Sequence, residues 1–466
     1  MSSDDKEYNY DDLDEYEDYY TPEEIRKIKR RNSFLVWAGA LLLIGLLVVA
    51  LNFDTVTRLY RAAMLFNPNY MVENFRSMNE IFDSRNICRS SQNSELSYDL
   101  KDLPLRYEYR DTPIRINEFI HRTDTTGLIV LKGNTILYED YLRGNDDSSR
   151  VISWSVSKSI VSALFGIAVD EGYIGDINEP VNNYLDLPED SGYYGVTIKD
   201  VLQMSSGVRF NEDYADHNSD VNRMGRALAF NTSLDEFVIS LEPEREPGTY
   251  NQYVSADTQL LGMIIREATG KTLTEYTEEK LWKPLGMEAD AYWSVDGKGV
   301  ELAFGGMNAV LRDYARFGLL YLNGGTWEGQ QIIPAEWVRA SVTPDAPHLM
   351  PGDNPNSDWV MGYGYQWWIP ESSDGEYLAL GIYGQAIYVN PKHNIVIAKS
   401  SAYSNYNIDG EEMELESVDF FRAIANHFSE LEDEVRTESP VGQGFDPAEI
   451  YPEQPWDPDA PIWPRY

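Results

Sequence analysis

The sequence predicts an α+β domain over residues 105–428, preceded by one transmembrane helix. Strand-like runs occur both early and late in this region, with long helical patterns between them. Strands at both ends of a helical region indicate a sheet that joins early and late segments and is flanked by helices. The 466 residues are 42% hydrophobic, which is enough for a sizeable core. An uncharged run near the N-terminus supplies the membrane segment.

The first 32 residues combine an acidic run with a basic cluster. Residues 1–24 contain 11 Asp or Glu and show no apolar periodicity, so we expect them to be disordered. Five basic residues follow, at Arg26, Lys27, Lys29, Arg30 and Arg31. We predict that residues 1–32 form an acidic, disordered cytoplasmic tail that ends in this juxtamembrane cluster.

The run Phe34–Phe53 contains no charged residue. At about 1.5 Å per residue, its twenty residues form a helix that spans the ~30 Å hydrocarbon core of a bilayer. We predict a transmembrane anchor over residues 33–53, in contact with lipid. The basic residues ahead of it place the N-terminus in the cytoplasm and the domain in the periplasmic or extracytoplasmic space. A cleaved signal peptide is the alternative, with a cleavage site after Val48-Val49-Ala50. A buried core helix is disfavoured because the run lacks a polar face.

Composition divides the rest of the chain. Residues 54–104 mix amphipathic and irregular patterns, and we interpret them as a stalk or lead-in that docks on the main domain. Residues 105–428 form that domain. Residues 429–466 contain seven Pro and ten Asp or Glu, which predicts an extended or disordered acidic tail.

The elements of the domain follow from local patterns. Gly127–Tyr141 contains two strand-like runs around Lys132-Gly133-Asn134, which predicts a β-hairpin. Helical periodicity covers Ser157–Gly172 and Ala256–Gly270. The late strand-like runs are Tyr363–Trp368, Gly384–Asn390 and Ile395–Lys399.

Composition and motif searches exclude several function classes. A net charge of −39, from 38 basic and 77 acidic residues, argues against a nucleic-acid partner. The single cysteine, Cys88, excludes a disulfide framework and a zinc site built on cysteine pairs. No His pair has the H-x-x-x-H spacing of a metallohydrolase, and no serine lies in the G-x-S-x-G elbow of Ser-His-Asp hydrolases. We therefore predict neither a metal nor a cofactor.

Ser155 and Lys158 have S-x-x-K spacing at the start of an apolar helical run. Residues three apart share one helix face, so the lysine lies beside the serine hydroxyl. The Ser155 N–H lies at the positive end of the helix, where it stabilises a developing oxyanion. Apolar neighbours remove solvent from the lysine and lower its pKa, which makes it a proton acceptor for serine. The spacing alone is weak evidence, since Ser3 and Lys6 also have it.

Further motifs follow Ser155 in order along the chain. They are PGTYNQYVSADTQLLG (247–262), GGMNAVLRDYARFGLLYLNGGTWEGQQIIPAEW (305–337), GYGYQWW (362–368) and ALGIYGQ (379–385). Together with S-x-x-K they resemble the serine β-lactamase-like hydrolases, the superfamily of class C β-lactamases, D-alanyl-D-alanine peptidases and esterases. The chain looks closest to the branch typified by 6-aminohexanoate-dimer hydrolase. The resemblance covers roughly Pro104–Phe428. It implies a β-lactamase/transpeptidase-like antiparallel sheet flanked by helices, plus a mostly helical subdomain.

The resemblance also implies roles for individual residues. Ser155 is the acylated nucleophile and Lys158 its proton-relay partner. Tyr253 matches the tyrosine that shuttles protons between the serine and the leaving group, as a phenol held near its ionisation point by an ammonium. The Ile382 N–H is the second oxyanion donor, and Gly381 lets substrate approach the backbone closely.

Three more positions are expected to contact substrate. Tyr214 lies in a loop that we expect to cap the pocket. Ser255 takes the place of the asparagine in the family's Tyr-x-Asn motif, where the side chain orients a substrate amide. Tyr383 is an aromatic candidate for the pocket lining.

Two departures from the family pattern bear on the substrate. Ala379-Leu380-Gly381 stands where the family has Lys-Thr-Gly. The missing cation removes a charge-assisted contact to a substrate carboxylate, about 1.5–3 kcal/mol. With Ser255 in place of Asn, this favours a small-molecule ester or a less charged amide. A D-alanyl-D-alanine peptidase or β-lactamase, and a non-catalytic scaffold with the same fold, are the alternatives. The sequence specifies no protein partner.

Overall fold

The structure, a computed structural model, describes residues 21–230 and 232–438. Contacts within the chain divide it into two compact units, residues 1–60 and residues 61–466. The predictions of disorder for residues 1–20 and of an extended tail for residues 439–466 lie outside the described residues.

In chain order, the α-helices among the described residues are α1 (Pro22–Leu51), α2 (Phe53–Ala63), α3 (Met71–Phe75), α4 (Met78–Ile81), α5 (Ile116–Arg122), α6 (Val156–Asp170), α7 (Ile198–Leu202), α8 (Asp220–Phe230), α9 (Leu234–Ile239), α10 (Ser255–Thr269), α11 (Leu273–Thr277), α12 (Leu311–Leu322), α13 (Ala335–Ser341) and α14 (Tyr406–Glu438). The strands are β1 (Ser84–Ile87), β2 (Ser97–Tyr98), β3 (Arg106–Tyr109), β4 (Thr112–Arg115), β5 (Thr125–Lys132), β6 (Thr135–Tyr141), β7 (Val151–Ile152), β8 (Ala291–Ser294), β9 (Met307–Ala309), β10 (Thr326–Trp327), β11 (Gln330–Gln331), β12 (Gly362–Tyr363), β13 (Trp368–Ile369), β14 (Tyr377–Gly381), β15 (Gln385–Asn390) and β16 (Ile395–Ser401).

Helix α1 contains the predicted anchor. Thr21 and Glu24 form a capping box and Pro22 occupies the first turn, so the helix begins inside the predicted disordered tail. The prediction of disorder is therefore wrong for residues 22–32. The apolar part of α1 has a mean hydropathy of 2.8 and is long enough to cross a membrane. A signal sequence has the same length and composition.

An eight-stranded sheet forms the centre of the second unit. Its strand order is β12-β13-β14-β15-β16-β5-β6-β2, antiparallel except between β6 and β2. The early hairpin β5–β6 joins the late strands through β16, with Val130 opposite Ile397. The predicted sheet of early and late segments is confirmed.

Helices cover both faces of this sheet. Ile387 and Tyr388 are adjacent in β15, so their side chains point to opposite faces. On one face Gly318 of α12 packs so closely that a Cβ there would lie 2.8 Å from Ile387. On the other face Phe421 of α14 stacks on Tyr388 at 5.4 Å. The region between α6 and β8 contains α7–α11, and its described residues form no strand of either sheet, although fewer than half of them are helical.

Two predicted boundaries are wrong. Tyr363–Trp368 is two short paired strands rather than one, because Gln366 has a φ of 65° and turns the chain. Its side-chain amide is fixed in this turn by bonds to Thr258 and the Leu202 carbonyl. Helix α14 continues to Glu438, so residues 429–438 of the predicted tail are helical. The reason is that this stretch lacks proline and glycine.

The lead-in is integrated into the second unit from Arg61 onward. Strand β1 pairs with β8 in a four-stranded sheet of order β1-β8-β9-β7, and β2 forms an edge of the main sheet. Strand β7 of the same small sheet brings the chain to Ser155. Residues 61–104 therefore contact both sheets.

Candidate active site

Ser155 is the N-cap residue of α6 and is 8% exposed. The amides of Val156, Ser157 and Lys158 donate to the carbonyls three residues earlier, so the chain is already helical at Ser155. The Ser155 N–H precedes these bonds and lies at the positive end of the helix. Trp154, immediately before the serine, has a φ of 45°, a strained value for a residue with a side chain.

Lys158 lies one turn along α6 and is 1% exposed. Its Nζ is 3.0 Å from Ser155 Oγ, 3.1 Å from Ser255 Oγ and 3.1 Å from the Phe304 carbonyl oxygen. Burial lowers the pKa of Lys158 to about 8, while the carboxylates of Glu212 and Asp257 oppose that shift. The pKa of the amine is therefore close to neutral pH, and the amine is in contact with the serine hydroxyl.

Tyr253 lies on the other side of the serine. The centroid of its ring is 4.8 Å from Lys158 Nζ, and Tyr253 lines the same pocket as Ser155. Burial, followed by the charge of Glu212, raises the pKa of Tyr253 well above its usual range. The expectation of a phenol near its ionisation point is wrong, because desolvation and the nearby Glu212 carboxylate both raise its pKa. The phenol is neutral and available as a proton donor.

Gly381 ends β14 beside the nucleophile. A Cβ at this position would collide with the Ser153 carbonyl oxygen and lie 3.1 Å from the Ser155 nitrogen. The space that we expected to admit substrate is thus filled by the backbone of the serine turn. The close approach places the end of β14 beside the Ser155 backbone, and Ile382, the next residue, lines the same pocket as Ser155.

A known protein family matches this chain. The sequence profile of the Beta-lactamase family matches residues 116–415, more than half of the chain. The chain belongs to the beta-lactamase family.

A curated relative agrees with the family, and two solved structures share the fold. The 6-aminohexanoate-dimer hydrolase of Paenarthrobacter ureafaciens is 31% identical over 296 residues, which are 62% of this chain and 75% of that protein. A Bacillus anthracis protein, provisionally assigned as a 6-aminohexanoate-dimer hydrolase, has a TM-score of 0.71 at 23% identity and covers 78% of this chain and 96% of its own. EstCE1, a hydrolase with promiscuous acyltransferase activity, has a TM-score of 0.52 at 14% identity, with 66% and 96% coverage.

In this member of the beta-lactamase family, Ser155 opens into a pocket of about 770 Å³. Tyr214, Tyr253 and Ile382 also line the pocket, together with Trp359, Trp368 and Leu380. Seven carboxylates complete the wall, those of Glu212, Asp213, Asp358, Asp409, Glu411, Glu412 and Glu414. None of the described lining residues is Lys, Arg or His.

Two other side chains predicted to contact substrate, those of Ser255 and Tyr383, do not line the pocket. Ser255 is 1% exposed, accepts from Lys158 and donates to Glu212 Oε1 at 2.6 Å. Tyr383 is 4% exposed and packs on the aromatic side chains of Trp154 and Tyr406. Neither side chain forms part of the pocket lining, so both act through their neighbours rather than on a ligand.

Glu212 is the residue that sequence reasoning missed. Its carboxylate accepts from Ser255 N at 2.8 Å, from Ser255 Oγ and from the Tyr214 hydroxyl at 2.6 Å. It therefore connects the pocket loop to the hydroxyl that holds Lys158. Its position two residues before Tyr214 was visible, but no spacing rule relates it to Ser255, 43 positions away. Within residues 21–230 and 232–438, no His, Cys, Asp and Glu side chains form a potential metal site.

Proposed function

We propose that this protein is a membrane-anchored serine hydrolase that cleaves an ester or amide bond through an acyl-enzyme on Ser155. The observation that carries the proposal is the cluster at the serine hydroxyl: Lys158 Nζ lies 3.0 Å from Ser155 Oγ and 4.8 Å from the centroid of the Tyr253 ring. Nucleophile, base and proton donor are thus close together.

The hydrogen-bond partners of Lys158 support this residue as the base. A neutral Lys158 donates two hydrogens, which match Ser255 Oγ and the Phe304 carbonyl oxygen. Its lone pair is then directed at the remaining neighbour, the Ser155 hydroxyl. Lys158 takes the serine proton as Ser155 Oγ attacks the substrate carbonyl carbon.

The neutral phenol completes the first step. As the tetrahedral intermediate collapses, Tyr253 donates its proton to the leaving oxygen or nitrogen, and the resulting phenolate is reprotonated by the adjacent Lys158 ammonium, which holds the proton taken from Ser155. The Ser155 and Ile382 amides bind the oxyanion. A water deprotonated by the same residues then attacks the acyl carbon, which releases the acid and restores Ser155.

The charge of the pocket favours substrates without a carboxylate. Arg110 pairs with Glu412 at 2.8 Å, and burial raises the pKa of Glu414 to about 8. Exposed carboxylates remain at the pocket wall, on Asp213, Asp358 and Asp409. They repel an anionic substrate where the family's lysine would attract one.

The location is part of the proposal. The apolar length of α1 supports a membrane anchor, and the basic cluster before it supports a cytoplasmic N-terminus. The name of the Paenarthrobacter ureafaciens relative, a 6-aminohexanoate-dimer hydrolase, supports keeping amides among the candidate substrates.

Full-length protein in detergent micelles tests the reaction class. The assay compares p-nitrophenyl esters of increasing acyl length with a chromogenic cephalosporin, and treats the protein with a fluorophosphonate followed by peptide mass mapping. We expect ester turnover and a phosphonyl adduct on Ser155. We expect kcat/KM for the cephalosporin to be about 10–100-fold lower than for the esters, since the lysine that would contact the cephalosporin carboxylate is missing. Faster cephalosporin cleavage would favour the β-lactamase alternative, and a protein without turnover or adduct would be a scaffold.

A charge series tests the pocket. Three p-nitrophenyl esters of equal length end in a trimethylammonium, a methyl or a carboxylate group. We expect kcat/KM for the anionic ester to be about 10-fold lower than for the cationic ester at low ionic strength, with the difference shrinking as salt is added. Asp358→Asn should reduce the difference in kcat/KM between the cationic and anionic esters. Asp353→Asn, outside the pocket lining, serves as the matched control. Equal rates for the three esters would contradict the electrostatic argument.

A further inference from the structure

A hydrophobic cluster packs against the two turns that carry Ser155 and Ile382, called the catalytic turns below. The lead-in contributes Leu65, Met71, Phe75, Met78, Ile81 and Phe82 to this cluster. The catalytic turns contribute Trp154, Ile382 and Tyr383. The lead-in residues precede residue 116, where the match to the family begins.

Two phenylalanines of the lead-in make the closest aromatic contacts. Phe66 stacks on Tyr383 with ring centroids 5.1 Å apart and an interplanar angle of 23°. Phe75 meets Trp154 edge-on at 5.3 Å and Tyr383 at 5.4 Å. Aromatic pairs in such stacked and edge-on arrangements are stabilised beyond the burial of their surface area.

Their aromatic partners flank the two oxyanion donors in sequence. Trp154 precedes Ser155, and Tyr383 follows Ile382. Both partners have left-handed backbones, with φ of 45° and 63°. Such conformations are strained in non-glycine residues and persist only where the surrounding structure holds them.

We propose that Phe66 and Phe75 are positioning residues that hold Trp154 and Tyr383 in these conformations and thereby fix the spacing of the Ser155 and Ile382 amides. The lead-in is then a working part of the active site, in addition to linking α1 to the domain. This proposal rests on the hydrolase function proposed above.

The exposure of Phe66 separates positioning from general core packing. Phe66 is 42% exposed, so its removal takes little area from the core, yet it frees one face of the Tyr383 ring. The corner after Ile382 stays attached at its far side, where Lys399 Nζ donates to the Gly384 carbonyl oxygen at 3.1 Å. We therefore expect a Phe66 variant to fold with a loosened oxyanion site.

Steady-state hydrolysis of a p-nitrophenyl ester by the full chain tests the proposal. Loss of one oxyanion donor lowers kcat by about 10²–10³-fold, so a displaced donor should lower it about 10-fold or more. We expect Phe66→Ala to show this loss with KM within about twofold of wild type, slower fluorophosphonate labelling and an unchanged melting temperature. Phe66→Tyr keeps the stacked ring and should restore kcat. Tyr70→Ala is the matched control, since Tyr70 is 46% exposed in the same segment.

Several results would overturn the inference. They are a kcat of Phe66→Ala within twofold of wild type, an equal loss in Tyr70→Ala, or failure of Phe66→Tyr to restore the rate. If Phe66→Ala does not fold, Phe75→Leu is measured by the same criteria, since leucine fills the buried site without an aromatic face. A wild-type protein without ester turnover or labelling would instead refute the proposed function.

Discussion

Replacing Ser155 with alanine is expected to lower kcat for p-nitrophenyl esters by about 10⁴–10⁶-fold, because the variant has no acyl acceptor. Neighbouring hydroxyls offer no substitute. Ser153 and Ser157 bond to each other at 2.8 Å, and Ser159 donates to the Gln366 carbonyl oxygen at 2.6 Å. The measurement is initial-rate kinetics, with the intact mass recorded after fluorophosphonate treatment. The mass should shift in wild type and not in the variant.

Ser159→Ala is the control for this experiment. It removes a hydroxyl from the same turn of α6 and, like Ser155→Ala, leaves Lys158 in place. Its kcat should stay within about tenfold of wild type. Retention of near-native turnover or of the adduct by Ser155→Ala would place the nucleophile elsewhere.

The local part of the site was predictable from sequence, and the long-range part was not. Ser155 and Lys158 are three positions apart on one helix, so spacing alone determines their contact. Tyr253 was identified only through a family resemblance, since no spacing rule spans the 98 residues from Ser155. The role of Glu212 has no local signature, because its contact with Ser255, 43 positions away, depends on tertiary packing.

The fold shows the same division. The hairpin β5–β6 and strands β15 and β16 follow from short strand-like runs and a Gly-Asn turn, which act locally. The run Tyr363–Trp368 was misassigned because its aromatic residues favour a strand, whereas the turn at Gln366 depends on bonds to Thr258 and Leu202. The lead-in was ambiguous for a related reason: its apolar side chains pair with Trp154 and Tyr383, distant residues that its own periodicity cannot reveal.

Replacing Lys158 with methionine is expected to lower kcat by about 10²–10⁴-fold, the usual contribution of a general base. Methionine fills the apolar part of the site without an amine. In wild type, kcat/KM should rise with pH and level off, with a midpoint of about 8, because only the neutral amine accepts the serine proton. Below that midpoint the ammonium predominates and the rate falls tenfold per pH unit. The Lys158→Met variant should lack this rise.

Variants of the neighbouring carboxyl groups decide whether the rise belongs to Lys158. Glu212 and Asp257 stabilise the ammonium, so Glu212→Gln removes a charge that raises the pKa of Lys158 and should move the midpoint to lower pH. Burial raises the pKa of Asp257 itself to about 8, which makes it the competing source of the transition. Asp257→Asn cannot titrate, so a rise that persists in this variant with a lowered midpoint is assigned to the lysine. A rise that disappears in Asp257→Asn and persists in Lys158→Met would identify Asp257 as the titrating group and contradict the assignment of Lys158 as the base.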